Sequence, residues 1–360
     1  MKTYITIWVS LFFISVAFAQ DAMKEIKVTK EWKINPNSTF ELSADNSEYK
    51  VEFWDKENVR IDFILKTNKN TITTKDLEEM MEISASSSNN KLSIHTDIDL
   101  DKSSSIWDWI VKTKDKITKN AQYEAYNIIY LPKNLSQLNL NLNYSDISIG
   151  NINVPLKLST NYSDVTILKN NNKTVISSSY SDMKIGSLTN LKINSTYGDF
   201  TIDYIDTLNS STSYCDIKLT NCPFIQNLST NYGDITIQKT NYVKASASYS
   251  DIIIKSLHQE LLASLTYSDL TIDDISKNLK AISVTSTYSD NKIKINPENP
   301  INIKISDING DIDIKNSRLQ LTISRDEVGT ITNIVAKSKT ATENSPLIKF
   351  NSNNSDIIIY

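Results

Sequence analysis

One six-residue phrase recurs along this chain at an almost fixed interval, and no other feature limits its fold so strongly. Tyr144-Ser145-Asp146-Ile147-Ser148-Ile149 returns as Tyr162-Ser163-Asp164-Val165-Thr166-Ile167 and again as Tyr180-Ser181-Asp182-Met183-Lys184-Ile185. The later copies begin at Tyr197, Tyr214, Tyr232, Tyr249, Tyr267 and Tyr288, with successive spacings of 18, 18, 17, 17, 18, 17, 18 and 21 residues. Their aspartates are Asp199, Asp216, Asp234, Asp251, Asp269 and Asp290. Two further copies put Asn in place of Tyr, at Asn309-Gly310-Asp311 and Asn354-Ser355-Asp356. The residue after the tyrosine is always Ser, Gly or Cys.

The pattern inside each unit names its local structure. The third and fifth residues after the tyrosine are apolar around a variable one, as in Ile235-Thr236-Ile237, and a second apolar position lies four residues before it, as at Leu158 and Ile193. Period-two alternation over such short runs predicts strands, and no run is long enough for a helix. Ser-Asp and Gly-Asp are turn-forming pairs, so each unit holds two short strands separated by a corner. A unit of this size cannot bury its apolar side alone, whereas stacking units with equivalent strands in parallel buries a continuous core. The expected fold is all-β: a β-solenoid of 17–18-residue coils, each rising by about one strand spacing of 4.8 Å. A β-propeller would need about 40–45 residues per blade.

The flanks depart from this rhythm. Lys2, the apolar stretch Ile5 to Phe18 and Ala17-Phe18-Ala19 form a signal peptide over residues 1–19 with cleavage expected after Ala19. Residues 20–135 read as N-terminal coils and cap, with strands around Ser47–Leu65, Lys91–Ile98 and Tyr123–Leu131 and an inserted amphipathic segment near 101–120 that carries Trp107 and Trp109. Residues 136–296 are the regular repeats, and 297–360 read as C-terminal coils and cap. Solenoid ends expose unpaired strand edges, so atypical segments are expected at both. On this ordering, Ile359, near the chain end, should matter less to stability than Ile237 in a central coil.

Asn46-Ser47-Glu48-Tyr49-Lys50-Val51-Glu52-Phe53 through Phe63, and Tyr126-Asn127-Ile128-Ile129-Tyr130-Leu131-Pro132 before the Ser-Asp-Ile coils, resemble the opening strands of a bacterial putative-adhesin domain family of unknown function. The resemblance covers most of the mature chain. It implies a single-stranded right-handed parallel β-helix, exported by Gram-negative bacteria often of the Bacteroidetes type, and it brings no catalytic residues with it. The present chain has Tyr-Ser-Asp where many members have Gly-Asp.

Composition excludes several function classes. A net charge of −4 with only three arginines (Arg60, Arg318 and Arg325) gives no basic face for nucleic acid. Two histidines, His95 and His258, and two cysteines, Cys215 and Cys222, supply no His/Cys metal cluster, and six glycines supply no phosphate cradle. Strand geometry carries Cys215 and Cys222 apart, so no intrachain bridge is expected. Asp273-Asp274 is the one acidic doublet of the repeat region, and no nucleophile–base arrangement accompanies it. Catalytic, cofactor and metal sites are therefore expected to be absent. The calcium-binding nonapeptide of other solenoids needs glycines and a period of nine that this chain lacks.

The eighteen ladder residues, from Tyr144 and Asp146 to Tyr288 and Asp290, are expected to be structural. Alternation counted through the corner turns the tyrosine rings inward or onto the corner, closing the core as an aromatic stack; an exposed ladder gripping sugars or peptides is the alternative. The aspartates form a column, each carboxylate accepting N–H groups of its own turn. The Ser, Thr and Asn residues before each tyrosine, such as Ser177-Ser178-Ser179, form a solvated strand face. The resulting expectation is an exported, non-catalytic binding module for an unidentified glycan or envelope protein, in the periplasm, at the cell surface or secreted, without a transmembrane span after signal cleavage. A structural or envelope-stress scaffold is the alternative, and a polysaccharide-active β-helix enzyme the least favoured.

Overall fold

The computed structural model describes residues 23–68, 72–88, 90–98 and 123–360. The expected leader (1–19) and the expected amphipathic segment near 101–120 lie outside these residues. The chain is all-β, and its strands join one hydrogen-bonded network.

Between residues 137 and 293 equivalent residues of successive units face one another in parallel. Leu158 is flanked by Leu140 and Ile176, and Ile185 by Ile167 and Ile202. The offset between paired strands equals the sequence spacing, 18 residues for Leu140 to Leu158 and 17 for Ile185 to Ile202. Two columns of strands result. One holds the strands before the corner, such as Gln137–Asn143, Leu156–Asn161 and Ala281–Thr287. The other holds those after it, such as Ile147–Ile152, Ile252–Ile254 and Leu270–Ile272.

The core is read directly from the alternation. The last residue of the phrase makes one buried file: Ile149, Ile167, Ile185, Ile202, Leu219, Ile237, Ile254, Ile272, Ile293 and Ile359. Burying a side chain of this size favours folding by about 1.5–3 kcal/mol. The intervening residues Lys184, Lys218 and Lys292 point outward. The small hydroxyls two residues before the tyrosines depart from expectation: Thr160, Ser178, Ser195, Thr212 and Thr230 are buried, not part of a solvated face. Only alternate members of that segment, such as Ser159 and Ser177, face water, as strand geometry requires.

Both ends place units out of chain order. Thr39–Asp45 lies between Lys91–Ile98 and Gln137–Asn143, parallel to both. Leu347–Asn353 likewise lies between Ala281–Thr287 and Asn302–Ile308. Ile359 therefore has neighbours on both sides, Ile293 and Ile314, and is as buried as Ile237. Its expected lesser role is corrected; Ile314, half-buried, holds the outer position.

Antiparallel strands cover the ends, where a parallel stack would leave open edges. Asn58–Thr67 pairs antiparallel with both Lys24–Lys33 and Tyr123–Pro132. The hairpin Thr322–Val328/Ile331–Lys337 covers Asn302–Ile308. A short helix, Thr74–Met80, opens with a capping box between Thr73 and Asp76 and buries Leu77 and Met80. At this end Asp62, with no solvent exposure, is held by Arg60 (2.5 Å), Lys27 (2.8 Å) and the Thr29 hydroxyl (2.8 Å). Burial alone would raise its pKa, but these donors outweigh it and hold the carboxyl below the usual carboxylate range.

Candidate functional site: a tyrosine ladder along the corner

Each corner turns on one left-handed residue. All nine tyrosines of the phrase have φ between 50° and 57°, a region that costs a residue with a Cβ about 1–2 kcal/mol. The N–H of each tyrosine stays in the ladder, as Tyr144 donates to the Asn161 carbonyl at 3.0 Å and Tyr214 to the Asn231 carbonyl at 2.8 Å. The left-handed residue interrupts the pleat, so the inside–outside count restarts after it. The small residue that follows turns inward instead: Ser145, Ser163, Ser181, Cys215, Ser250, Ser268 and Ser289 are buried.

These inward hydroxyls link neighbouring units. Ser163 Oγ donates to the carbonyl of Asn161 at 3.0 Å and accepts the N–H of Ser145 at 3.0 Å. Ser268 and Ser289 repeat both contacts. Cys215 fits the same place, its Sγ donating to the carbonyl of Ser213 at 3.2 Å.

The tyrosine rings stack at the corner, one of the two placements expected, but they point to solvent and do not turn inward to close the core. Their exposure is 41–57%. They nevertheless stack on one another from Tyr144 to Tyr288, with centroids 4.8–5.0 Å apart and planes within 10° of parallel. Each interior ring covers both faces with neighbours, so the solvent-facing part is its edge. Stacking of this kind contributes about 0.5–1.5 kcal/mol per pair, comparable with the strain of the left-handed backbone. The turn itself does not require tyrosine. Asn46, Asn309 and Asn354 occupy the same corner at φ 55°, 62° and 49°, and Asn tolerates that region more readily.

Beside the ladder runs the aspartate column. From Asp146 to Asp269 the Oδ1 of each carboxylate accepts the N–H of the aspartate one unit on: Asp146 from Asp164 at 2.7 Å, Asp199 from Asp216 at 3.1 Å and Asp251 from Asp269 at 3.0 Å. The expected acceptance of N–H groups was right in kind but wrong in partner, since the bond crosses between units. Unit charges one strand spacing apart repel by roughly 1 kcal/mol in water, and an amide donor on each carboxylate from Asp146 to Asp269 offsets that. At the N-terminal end of the column a shallow cavity of about 300 Å³ is lined by Glu48, Asp146, Asp164, Asp182, Thr166 and Lys184, among others.

The remaining candidates stand apart from this face. Cys215 and Cys222 are free, buried thiols; burial raises the first and pushes the second up to about 12. Asp273 is paired with Lys255 at 2.7 Å, and Asp274 accepts from the Ser256 hydroxyl at 3.4 Å. His258 is half-buried on the strand Leu257–Thr266, and His95 lies 4.0 Å from Asp45. Among the described residues no three His, Cys, Asp or Glu side chains converge as metal ligands. The ladder was visible in the sequence as a period. Its outward direction was not, because the signal for it is a backbone φ.

No family model and no curated protein matches this chain. Among solved structures, it is similar to a putative cell adhesion protein from Clostridium sporogenes, at 11% identity and a TM-score of 0.22, over 93% of this chain and 99% of that one. It is also similar to a putative adhesin from Bacteroides fragilis, at 11% identity and a TM-score of 0.28, over 93% of this chain and 97% of the other. These neighbours bear adhesin names of the kind that the sequence resemblance implies. At such TM-scores the superpositions carry no argument about shape or ligand.

Proposed function

We propose that this chain is an exported, non-catalytic, single-stranded right-handed parallel β-helix that acts as an adhesin-like binding module, with the tyrosine ladder as its contact surface. The division into a leader (1–19), N-terminal coils and cap (20–135), regular coils (136–296) and C-terminal coils and cap (297–360) belongs to the same reading. One observation carries it: a corner that Asn can form at both ends is built from outward-facing tyrosine in all nine interior units. Tyrosine is enriched at interfaces because an apolar ring and a polar hydroxyl serve one contact. Ring faces are occupied along the interior of the ladder, so the partner meets ring edges. It is an extended glycan or protein at the cell envelope, running along the file and touching several rungs. No described helix is long and apolar enough to cross a membrane.

A binding screen against glycans and envelope proteins tests this, comparing the native chain with a variant carrying Asn at positions 180, 197, 214 and 232. Asn keeps the left-handed corner, so the fold should survive while binding is lost. Binding that persists in the folded variant moves the contact surface elsewhere. A native chain that binds nothing in the screen favours the scaffold alternative.

A further inference from the structure

The ladder ends abruptly at Tyr144. The next corner in space belongs to Asn46, whose N–H donates to the Asn143 carbonyl at 3.2 Å, and Asn46 brings no ring to stack. Tyr144 thus meets Tyr162 on one face only, and it is the most exposed tyrosine of the file, at 57%. At this open end lies a second cavity of about 300 Å³, lined by both Asn46 and Tyr144. Its apolar lining is Phe63, Ile64, Leu77 and Met81, contributed by the strand Asn58–Thr67 and the helix Thr74–Met80 with the residue that follows it. Glu48 and Asp146 belong to its lining, and among the described lining residues there is no lysine or arginine. Lys66, over the ring of the lining residue Tyr126, is paired with Glu124 at 3.4 Å.

We infer that this cavity binds a small arylalkyl ammonium ion, its ring against Tyr144 and the apolar wall and its charge toward Glu48 and Asp146. A concave apolar pocket with a few convergent polar groups is the usual form of a small-ligand site. The sign of those groups selects a cation, and an aromatic face adds attraction for one. At this end the ladder leaves one face of Tyr144 without a stacked tyrosine beside the cavity. The site is distinct from the interior ladder face, and its failure would leave the reading of that face intact.

Phenethylamine hydrochloride, titrated calorimetrically into the full chain at low salt, is the probe. Saturable one-to-one binding is expected, with no binding of phenylacetate, which has the same ring and the opposite charge. Asn46→Tyr should extend the ladder over Tyr144 and weaken phenethylamine at least tenfold, because its backbone already has the φ of the ladder tyrosines. Glu48→Gln should weaken it about fivefold, the effect of one charge pair near 4 Å in water. If Asn46→Tyr does not fold, Tyr144→Asn takes its place, removing the ring while keeping the corner. Absence of phenethylamine binding, equal binding of phenylacetate, or a folded cavity variant that binds undiminished would each overturn the inference.

Discussion

The backbone N–H of Asp290 donates to Oδ1 of Asp269 at 2.8 Å, joining two residues of one aspartate column across a unit boundary. Burial, and then Asp269 and Asp356, raise the pKa of Asp290 above the ordinary carboxylate value. A folded pKa above the unfolded one means that this group's favourable contribution is complete in acid and is lost as pH rises through the folded value. Asp290→Asn should therefore raise the urea midpoint at pH 7, and the gain should vanish by about pH 3, below the unfolded carboxylate pKa. An unchanged midpoint at pH 7 would show that burial and the neighbouring carboxylates do not disfavour the charged form of Asp290.

Glycine and serine alternate after the tyrosine as though interchangeable, but the backbone distinguishes them. A Cβ placed on Gly198 would lie 2.2 Å from the carbonyl oxygen of Ser181. Gly198→Ser should cost about 1–3 kcal/mol, as overpacking does. Ser163→Gly removes the hydroxyl's two contacts and should cost about 1 kcal/mol. Denaturant unfolding of the pair checks this, and a neutral Gly198→Ser would mean that the corner can refold into its serine form.

The buried file gives a direct test of inside and outside. Ile237→Ala should cost about 2–5 kcal/mol through lost burial and the cavity left behind. Thr236→Lys should stay within about 0.5 kcal/mol, as surface changes usually do. Ile359→Ala should match Ile237→Ala, because Ile359 is equally buried and flanked on both sides. Ile314→Ala should cost less. Equal losses at Ile314 and Ile359 would contradict the inserted position of the last unit.

Tyr49 is buried with its hydroxyl 2.6 Å from Thr96 Oγ1, and burial pushes its pKa up to about 12. The neutral phenol is favoured in the fold, so this contribution is complete below about pH 10, the unfolded value, and declines as pH rises toward 12. Linkage sets the decline at roughly 1.4 kcal/mol per pH unit over that window. The stability difference between the native chain and Tyr49→Phe should shrink between pH 9.5 and 11.5. A difference independent of pH would place the titrating group elsewhere.

The sequence carried the strands, the corner and the buried file because period-two alternation and turn chemistry are local signals. Tyrosine direction escaped it, since parity counting assumes an unbroken pleat and a left-handed residue breaks one. A further unit was also hidden. Asn46-Ser47-Glu48-Tyr49-Lys50-Val51 takes the same corner, with Asn46 at φ 55° and Val51 buried beside Ile149. Asn and Glu replaced both of its marker residues. The cavity at Tyr144 depends on that hidden unit and on the helix above it, which no spacing connects.

The inserted position of the last unit also bears on how the chain can be assembled. Asn302–Ile308 is synthesised well before Leu347–Asn353, the parallel neighbour that separates it from Ala281–Thr287. Growth of the stack in step with translation must therefore pause after residue 293, leaving an uncovered edge until the later strand arrives. Strand insertion into a waiting slot, rather than addition at a free end, completes the C-terminal side. A nascent chain held before residue 347 should be open to proteases and to foreign strands there, and the slot closes when its own strand enters.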